Sequence, residues 1–242
     1  MTGLWLVSLV LKDASIVDRF WGLGFLILYT VQLTQSRFLT FRGSLLLVLV
    51  ALWGIRLSVY LHFRNSGKPE DQRYQKMRRD HGARFPWVSL FSVFFLQGFI
   101  LWLVAAPLIW ISLFPQPVEA TWLDGVGIAL WVIGFLFESI ADFQMARFKK
   151  DPSHRGQVCQ VGLWGLSRHP NYFGETLVWW GFFFIAANSS LGYLTLFSPV
   201  LMTYLLLRVS GVSLLEKQLA QTKPGYEEYV KRVPAFFPRL RW

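Results

Sequence analysis

The amino-acid sequence predicts an all-α, polytopic integral membrane bundle of six or seven helices, and three observations carry that expectation. Of 242 residues, 54% are hydrophobic, only 16% are charged and 12 are Trp, which is more apolar surface than a soluble core of this size can hide. The apolar residues fall in runs of about 20, the length a helix needs to cross a bilayer. The lysines and arginines collect in alternate connectors between those runs.

Taken in chain order, the apolar stretch Leu4 to Leu11 is too short to span alone. It is either a truncated first helix or a re-entrant segment, and no charged n-region or small-residue cleavage site makes it a signal peptide. Crossings follow at roughly 16–35, 43–62, 88–114, 121–143, 172–188 and 191–208. Pro107 is expected to kink the third, and Pro170 to fix the turn into the fifth, where a missing backbone donor costs nothing. The connector 63–87 holds Arg64, Lys68, Arg73, Lys76, Arg78, Arg79 and Arg84, and 144–171 holds Arg147, Lys149, Lys150, Arg155 and Arg168. The tail adds Arg208, Lys217, Lys223, Lys231, Arg232, Arg239 and Arg241, whereas 115–120 and 189–190 have no Lys or Arg. Alternation puts all three basic segments on one side, predicted to be cytoplasmic, with a bacterial inner membrane as the expected setting. The chain reads as a single membrane domain, 1–242, without repeats or soluble linkers.

Several function classes drop out. The net charge of +10 sits in connectors facing a leaflet and does not form a nucleic-acid footprint. Cys159 is the one cysteine, and the histidines lack partners at metal-ligand spacing, so neither a disulfide framework nor a metal site is expected. No glycine-rich fingerprint marks a Rossmann unit or a P-loop. No paired broken half-helices suggest a transporter, and a non-catalytic lipid-binding or scaffold protein is the bland alternative.

Polar residues recur at helical spacing. Glu138 and Asp142 share one face of a helix running into Arg147-Phe148-Lys149-Lys150; Asn171 and Glu175 repeat that spacing, as do Arg56, Tyr60 and Arg64. Charged groups in or beside a membrane span are costly unless they bind something, although an Arg56–Glu138 ion pair could serve packing alone. Cations beside carboxylates, amides and phenols suit a nucleotide cofactor.

From about 121 onward the sequence becomes specific. Glu138 to Asp142 with its basic run, then Gly162-Leu163-Trp164 and Ser167-Arg168-His169-Pro170-Asn171-Tyr172-Phe173-Gly174-Glu175, resemble the C-terminal half of the steroid 5-alpha-reductase superfamily, including its bacterial members and the sterol reductases. The first half is similar more loosely, through Val17-Asp18-Arg19-Phe20-Trp21-Gly22, Arg56-Leu57 and Glu70-Asp71-Gln72-Arg73-Tyr74. The resemblance implies a membrane enzyme of about seven helices that uses NADPH to reduce an activated carbon–carbon double bond in a lipophilic substrate entering from the bilayer. It puts cofactor contacts on Asp142, Lys149, Asn171 and Glu175, with Arg168, His169 and Tyr172 in the same motif and Arg64 and Arg147 as further cationic candidates. Glu216 and Tyr226 fall in a tail that resembles the segment closing over the nucleotide.

The resemblance also implies a tyrosine donor at the substrate carbonyl, braced by an acidic residue. Tyr60 occupies the comparable region, but Arg64 follows it by four residues where the family has three. Asp18 and Glu138 are the candidate acidic partners, and Tyr74 is the rival donor. The Arg168-His169-Pro170-x-Tyr172 core is also similar to isoprenylcysteine carboxyl methyltransferases, which bind S-adenosylmethionine. Glu175, and Asp142 followed by cations, favour the reductase pattern. Which lipophilic substrate is taken, and the oligomeric state, are not encoded in any motif.

Overall fold

The computed structural model describes residues 1–36, 40–209 and 211–239, without the side chains of Ser213, Leu214, Lys217 and Gln218; Arg241 of the basic tail lies outside the described residues. Their regular elements are all helices, with no strand among the described residues. Five helices are long and apolar enough to cross a membrane: Ile16–Thr34, Phe41–Asn65, Gln72–Val104, Trp122–Lys150 and Gly192–Val209. The protein is a polytopic helical membrane protein. It divides into two compact units, Met1–Leu113 and Phe114–Trp242.

In the first unit α1 (Thr2–Leu11) has only 10 residues, so it is a short helix without the length to span. Asp13 then accepts hydrogen bonds from the amide and hydroxyl of Ser15, the residue that starts α2 (Ile16–Thr34). Thr40 caps α3 (Phe41–Asn65) by accepting the Gly43 amide at 3.0 Å. Gly22 of α2 and Gly54 of α3 face each other, each so near the other's backbone that a Cβ has no room. That approach brings Phe25, Tyr29, Leu46, Val50 and Trp53 into a core where each is fully buried.

The basic connector differs from the loop its polarity suggests. Asp71 accepts the Arg73 amide at 2.9 Å and caps a ten-residue helix, α4 (Gln72–His81). Gly82, at φ 49°, turns the chain through a single 3-10 turn into α5 (Phe85–Ser89), a π-helical segment (Leu90–Phe95) and α6 (Leu96–Val104). The predicted Pro107 kink appears as a break: α6 ends at Val104 and α7 (Ala106–Leu113) begins beyond Ala105. Pro107 has no amide to give the carbonyl four residues back, and Leu108 and Ile109 donate instead to Ala105.

The second unit is organised by α8 (Trp122–Lys150) and α9 (Pro170–Ala186). Thr121 and Asp124 form a capping box at the start of α8, and the Asn188 amide, just past α9, donates to Asp124 at 3.0 Å. Gly127 lies against Gly181 and Ile185, and Gly134 against Gly174 and Val178, so the helices run antiparallel. Glycines seven apart on both partners keep one seam in contact over one heptad, about two helical turns. At 17 residues, α9 is at the short end for a crossing. Gly174, Glu175, Thr176, Val178, Trp179, Phe182 and Ile185 are all buried, as expected of a helix that is apolar nearly all round. The final span joins a 3-10 turn (Gly192–Leu196), α10 (Phe197–Tyr204) and a second π-helical segment (Leu205–Val209); α11 (Val212–Thr222) and α12 (Tyr226–Arg232) follow.

Candidate functional site

A polar centre lies in each unit. In the first, Asp18 stands in the opening turn of α2, where the helix dipole favours a carboxylate. Its Oδ1 accepts the Tyr74 hydroxyl at 3.0 Å and its Oδ2 accepts Arg73 Nη2 at 3.0 Å. Gln97 Nε2 donates to the same Tyr74 oxygen at 3.1 Å. The phenol is thus held between an acceptor and a donor, so its proton points toward Asp18. Tyr74 is 5% exposed, in a cluster with Ala14, Val17, Phe85, Val93 and Phe94.

A frame of ion pairs fixes this centre. Arg73 Nε also donates to Asp71 at 2.9 Å. Burial works to raise the Asp71 carboxyl, but the hydrogen bonds and charge of Arg73 outweigh it and hold Asp71 below the usual range. Glu70 Oε1 accepts the Ala14 amide at 2.8 Å and Arg78 Nη2 at 2.8 Å, tying α4 to the turn before α2. Asp18 therefore meets Tyr74, the rival donor. Tyr60 is half-buried on α3 with the Arg64 guanidinium 5.7 Å from its ring centre; Arg64 itself is exposed. Gln97 carried no signal in the sequence because it follows a π-helical segment, whose extra residue per turn resets which side chains share a face.

In the second centre the stripes on α8 and α9 meet. Glu138, Asp142 and Glu175 are buried at 2%, 4% and 8% exposure, and Asn171 Nδ2 donates to Asp142 Oδ1 over a long 3.4 Å. Arg147 and Lys149 are exposed on the last turn of α8. The chain between α8 and α9 folds back onto α8: Gln144 Oε1 accepts the Leu163 amide at 3.0 Å, and Trp164 Nε1 donates to the Ala141 carbonyl at 2.9 Å. Cys159 is buried beside Ala141 and Trp164, and that burial raises its thiol pKa.

The motif ahead of α9 grips the C-terminal tail. Arg168 Nε donates to Glu216 Oε1 at 2.7 Å, and its Nη1 donates to the carbonyls of Val230 at 3.0 Å and Val233 at 2.7 Å. The Arg168 amide donates to Pro234 O at 2.9 Å and Ser167 Oγ to Phe236 O at 2.8 Å. The Tyr229 hydroxyl donates to Trp164 O at 2.5 Å, and burial pushes that phenol's pKa up. His169 lies 3.3 Å from the same Glu216 oxygen and stacks on Tyr172 at 5.7 Å between ring centres. Burial lowers the His169 pKa; Glu216 opposes that shift without cancelling it. Burial, with help from Glu216, pushes Tyr226 up to about 12. Ser167 belongs to the motif and Tyr229 to the tail that resembles the family's cytoplasmic end; neither place announces the bond each makes, nor the tail-holding role of Arg168.

Donors and acceptors in the second centre suit a polyhydroxylated, phosphorylated ligand: buried carboxylates and an amide for hydroxyl and carboxamide groups, with exposed cations one turn or two away for phosphate. Fold and centres together define a multi-pass helical membrane protein with a phenol–carboxylate pair in one unit and a carboxylate–amide face in the other. The chain belongs to the family described as "Protein of unknown function (DUF1295)", which matches residues 4–233. It is similar to "Uncharacterized protein C594.04c" of Schizosaccharomyces pombe (strain 972 / ATCC 24843), with 29% identity over 270 residues, covering 98% of this chain and 76% of that protein. No solved structure matches the chain.

Proposed function

We propose that the protein is an NADPH-dependent membrane reductase of an activated carbon–carbon double bond in a lipophilic substrate, an enone or enoyl group such as a steroid carries. The observation that carries this reading is the buried Tyr74 phenol held between Asp18 and Gln97. A preorganised, buried donor is what an enolate oxygen needs as its charge develops. Bound NADPH supplies hydride to the β-carbon. Asp18 orients the phenol in the resting site; on reaction the Tyr74 hydroxyl turns its proton to the carbonyl oxygen, and the Arg73 guanidinium, 5.3 Å from the ring centre, offsets the charge left on the phenolate until water reprotonates it. Asp142, Asn171 and Glu175, with Arg147 and Lys149, are the side chains assigned to the cofactor. His169, Tyr172, Arg168, Glu216 and Tyr226 act around them, the last three by holding the tail. The basic connectors face the cytoplasm, with a bacterial inner membrane as the setting.

Thermal-shift titration of the detergent-solubilised protein tests the cofactor. A ligand that binds only the folded state stabilises it by about 2.7 kcal/mol at a hundred times its Kd. NADPH is expected to raise the midpoint well above any effect of NADH or S-adenosylmethionine. A rise with S-adenosylmethionine and none with NADPH would replace the reductase by a membrane methyltransferase.

A further inference from the structure

The helix that carries Tyr74 has a second, outward face with no role in that centre. Arg73 and Arg78 are engaged by Asp18, Asp71 and Glu70. Lys76, Arg79 and Arg84 are exposed, and among the described residues their side chains make no hydrogen bond or ion pair. Lys76 and Arg79 are three apart and lie on one face of α4; Arg84 follows the Gly82 turn at the entry to the apolar span. Within α4 the acid is Asp80, so these cations outnumber the local negative charge.

Below them runs an apolar ladder. Trp87, Phe91, Phe95 and Phe99 recur every fourth residue and are 64%, 62%, 42% and 58% exposed. The Phe91 and Phe95 rings touch edge to face at 5.5 Å, and Phe99 stacks with the exposed Trp102. Twelve helical residues cover roughly 18 Å, somewhat more than one leaflet of a hydrocarbon core about 30 Å thick. A tryptophan at the top of the ladder marks the depth of the headgroups.

We propose that this face is a binding site for an anionic phospholipid of the surrounding leaflet, its phosphate on Lys76, Arg79 and Arg84 and one acyl chain along Trp87, Phe91, Phe95 and Phe99. Charge complementarity above and a continuous exposed aromatic surface below match an amphiphile with an anionic head. A soluble phosphate would satisfy only the upper half. The site is independent of the reductase reading, since none of these side chains belongs to the Tyr74 or Asp142 centres.

The test is lipid retention, measured by native mass spectrometry of the full chain released from mixed micelles of phosphatidylglycerol and phosphatidylcholine. Each cation near the headgroups contributes roughly fivefold in binding, so the wild type should retain phosphatidylglycerol about tenfold or more over phosphatidylcholine. The triple variant Lys76→Gln/Arg79→Gln/Arg84→Gln should fall to parity, with its melting midpoint in phosphatidylcholine unchanged, while Arg79→Lys/Arg84→Lys keeps the preference. Millimolar inorganic phosphate should leave lipid retention intact, and raised salt should erode the wild-type preference even if the triple variant fails to fold. Equal retention of the two lipids by the wild type, an undiminished preference in the folded triple variant, or displacement by phosphate alone would each overturn the proposal.

Discussion

At the scale of single residues, the two tyrosines separate the reading of the sequence from that of the structure. Tyr60 drew notice because Arg56, Tyr60 and Arg64 share a helix face, a periodicity any sequence displays. The carboxylate that holds the Tyr74 hydroxyl lies 56 positions earlier at Asp18, and no local pattern encodes such a distance. Tyr74→Phe keeps the ring and its packing but deletes the hydroxyl, so single-turnover NADPH oxidation with an accepted enone should fall by about 10²–10³. NADPH affinity should stay within a few-fold. Tyr60→Phe should turn over normally; the reverse result would return the donor to α3. His169 supplies a second test. Its folded pKa is lowered by burial, so the unfolded chain binds the extra proton first. The neutral ring therefore favours folding fully above the unfolded value near 6.5, and that stability is lost as pH falls from there toward the lowered folded value. Melting midpoints from pH 7.5 to 5 should drop in the wild type and drop less in His169→Gln. Equal slopes would remove His169 as the source.

Elements were legible where one kind of force sets them. The long spans stood out because apolar run length answers directly to bilayer thickness. By contrast α4 was hidden: its residues are polar, and what starts it is a single cap at Asp71 followed by ion pairs to residues distant in sequence. The face uniting Glu138, Asp142, Asn171 and Glu175 is visible as spacing, whereas the glycines that bring it together, Gly174 of the motif among them, carry no local sign of the close approach they permit. Gly127, Gly134, Gly174 and Gly181 give the α8–α9 seam its backbone contact, and a Cβ on Gly174 would stand 2.5 Å from the Glu138 amide nitrogen. Gly174→Ala should accordingly destabilise by about 1–3 kcal/mol through overpacking, and should weaken cofactor binding by moving Glu138 and Glu175 apart. Gly125 lies on α8 with nothing within 4 Å of its added Cβ, so Gly125→Ala should be neutral or stabilising by up to roughly 1 kcal/mol. Thermal unfolding of the two variants in one detergent provides the comparison. Similar losses in both would mean that the seam does not depend on close approach.

For the whole molecule the decisive quantity is the sidedness of its charge. The connectors 63–87 and 144–171 are basic, while 115–120 has no Lys or Arg, and crossings in alternation assign the first two to one side of the membrane. In the predicted topology each cation kept on the cytoplasmic side would avoid a transfer that the translocation machinery resists, so sidedness would be set by many small contributions and not by one residue. Cysteine scanning in a Cys159→Ala background tests it; the native thiol is buried with a raised pKa and is a weak nucleophile in any case. Lys68, Gln157 and Val118 are all exposed, Val118 at 94%, so each can be replaced by cysteine without disturbing a core. On intact cells a membrane-impermeant maleimide should modify Val118→Cys and leave Lys68→Cys and Gln157→Cys untouched until the membrane is opened. That pattern would also put the exposed cations in the last turn of α8, Arg147 and Lys149, in the compartment that holds NADPH, a condition the reductase reading cannot do without. Labelling of Gln157→Cys on intact cells would turn the carboxylate–amide face toward the wrong compartment and leave the proposed cofactor with no supply.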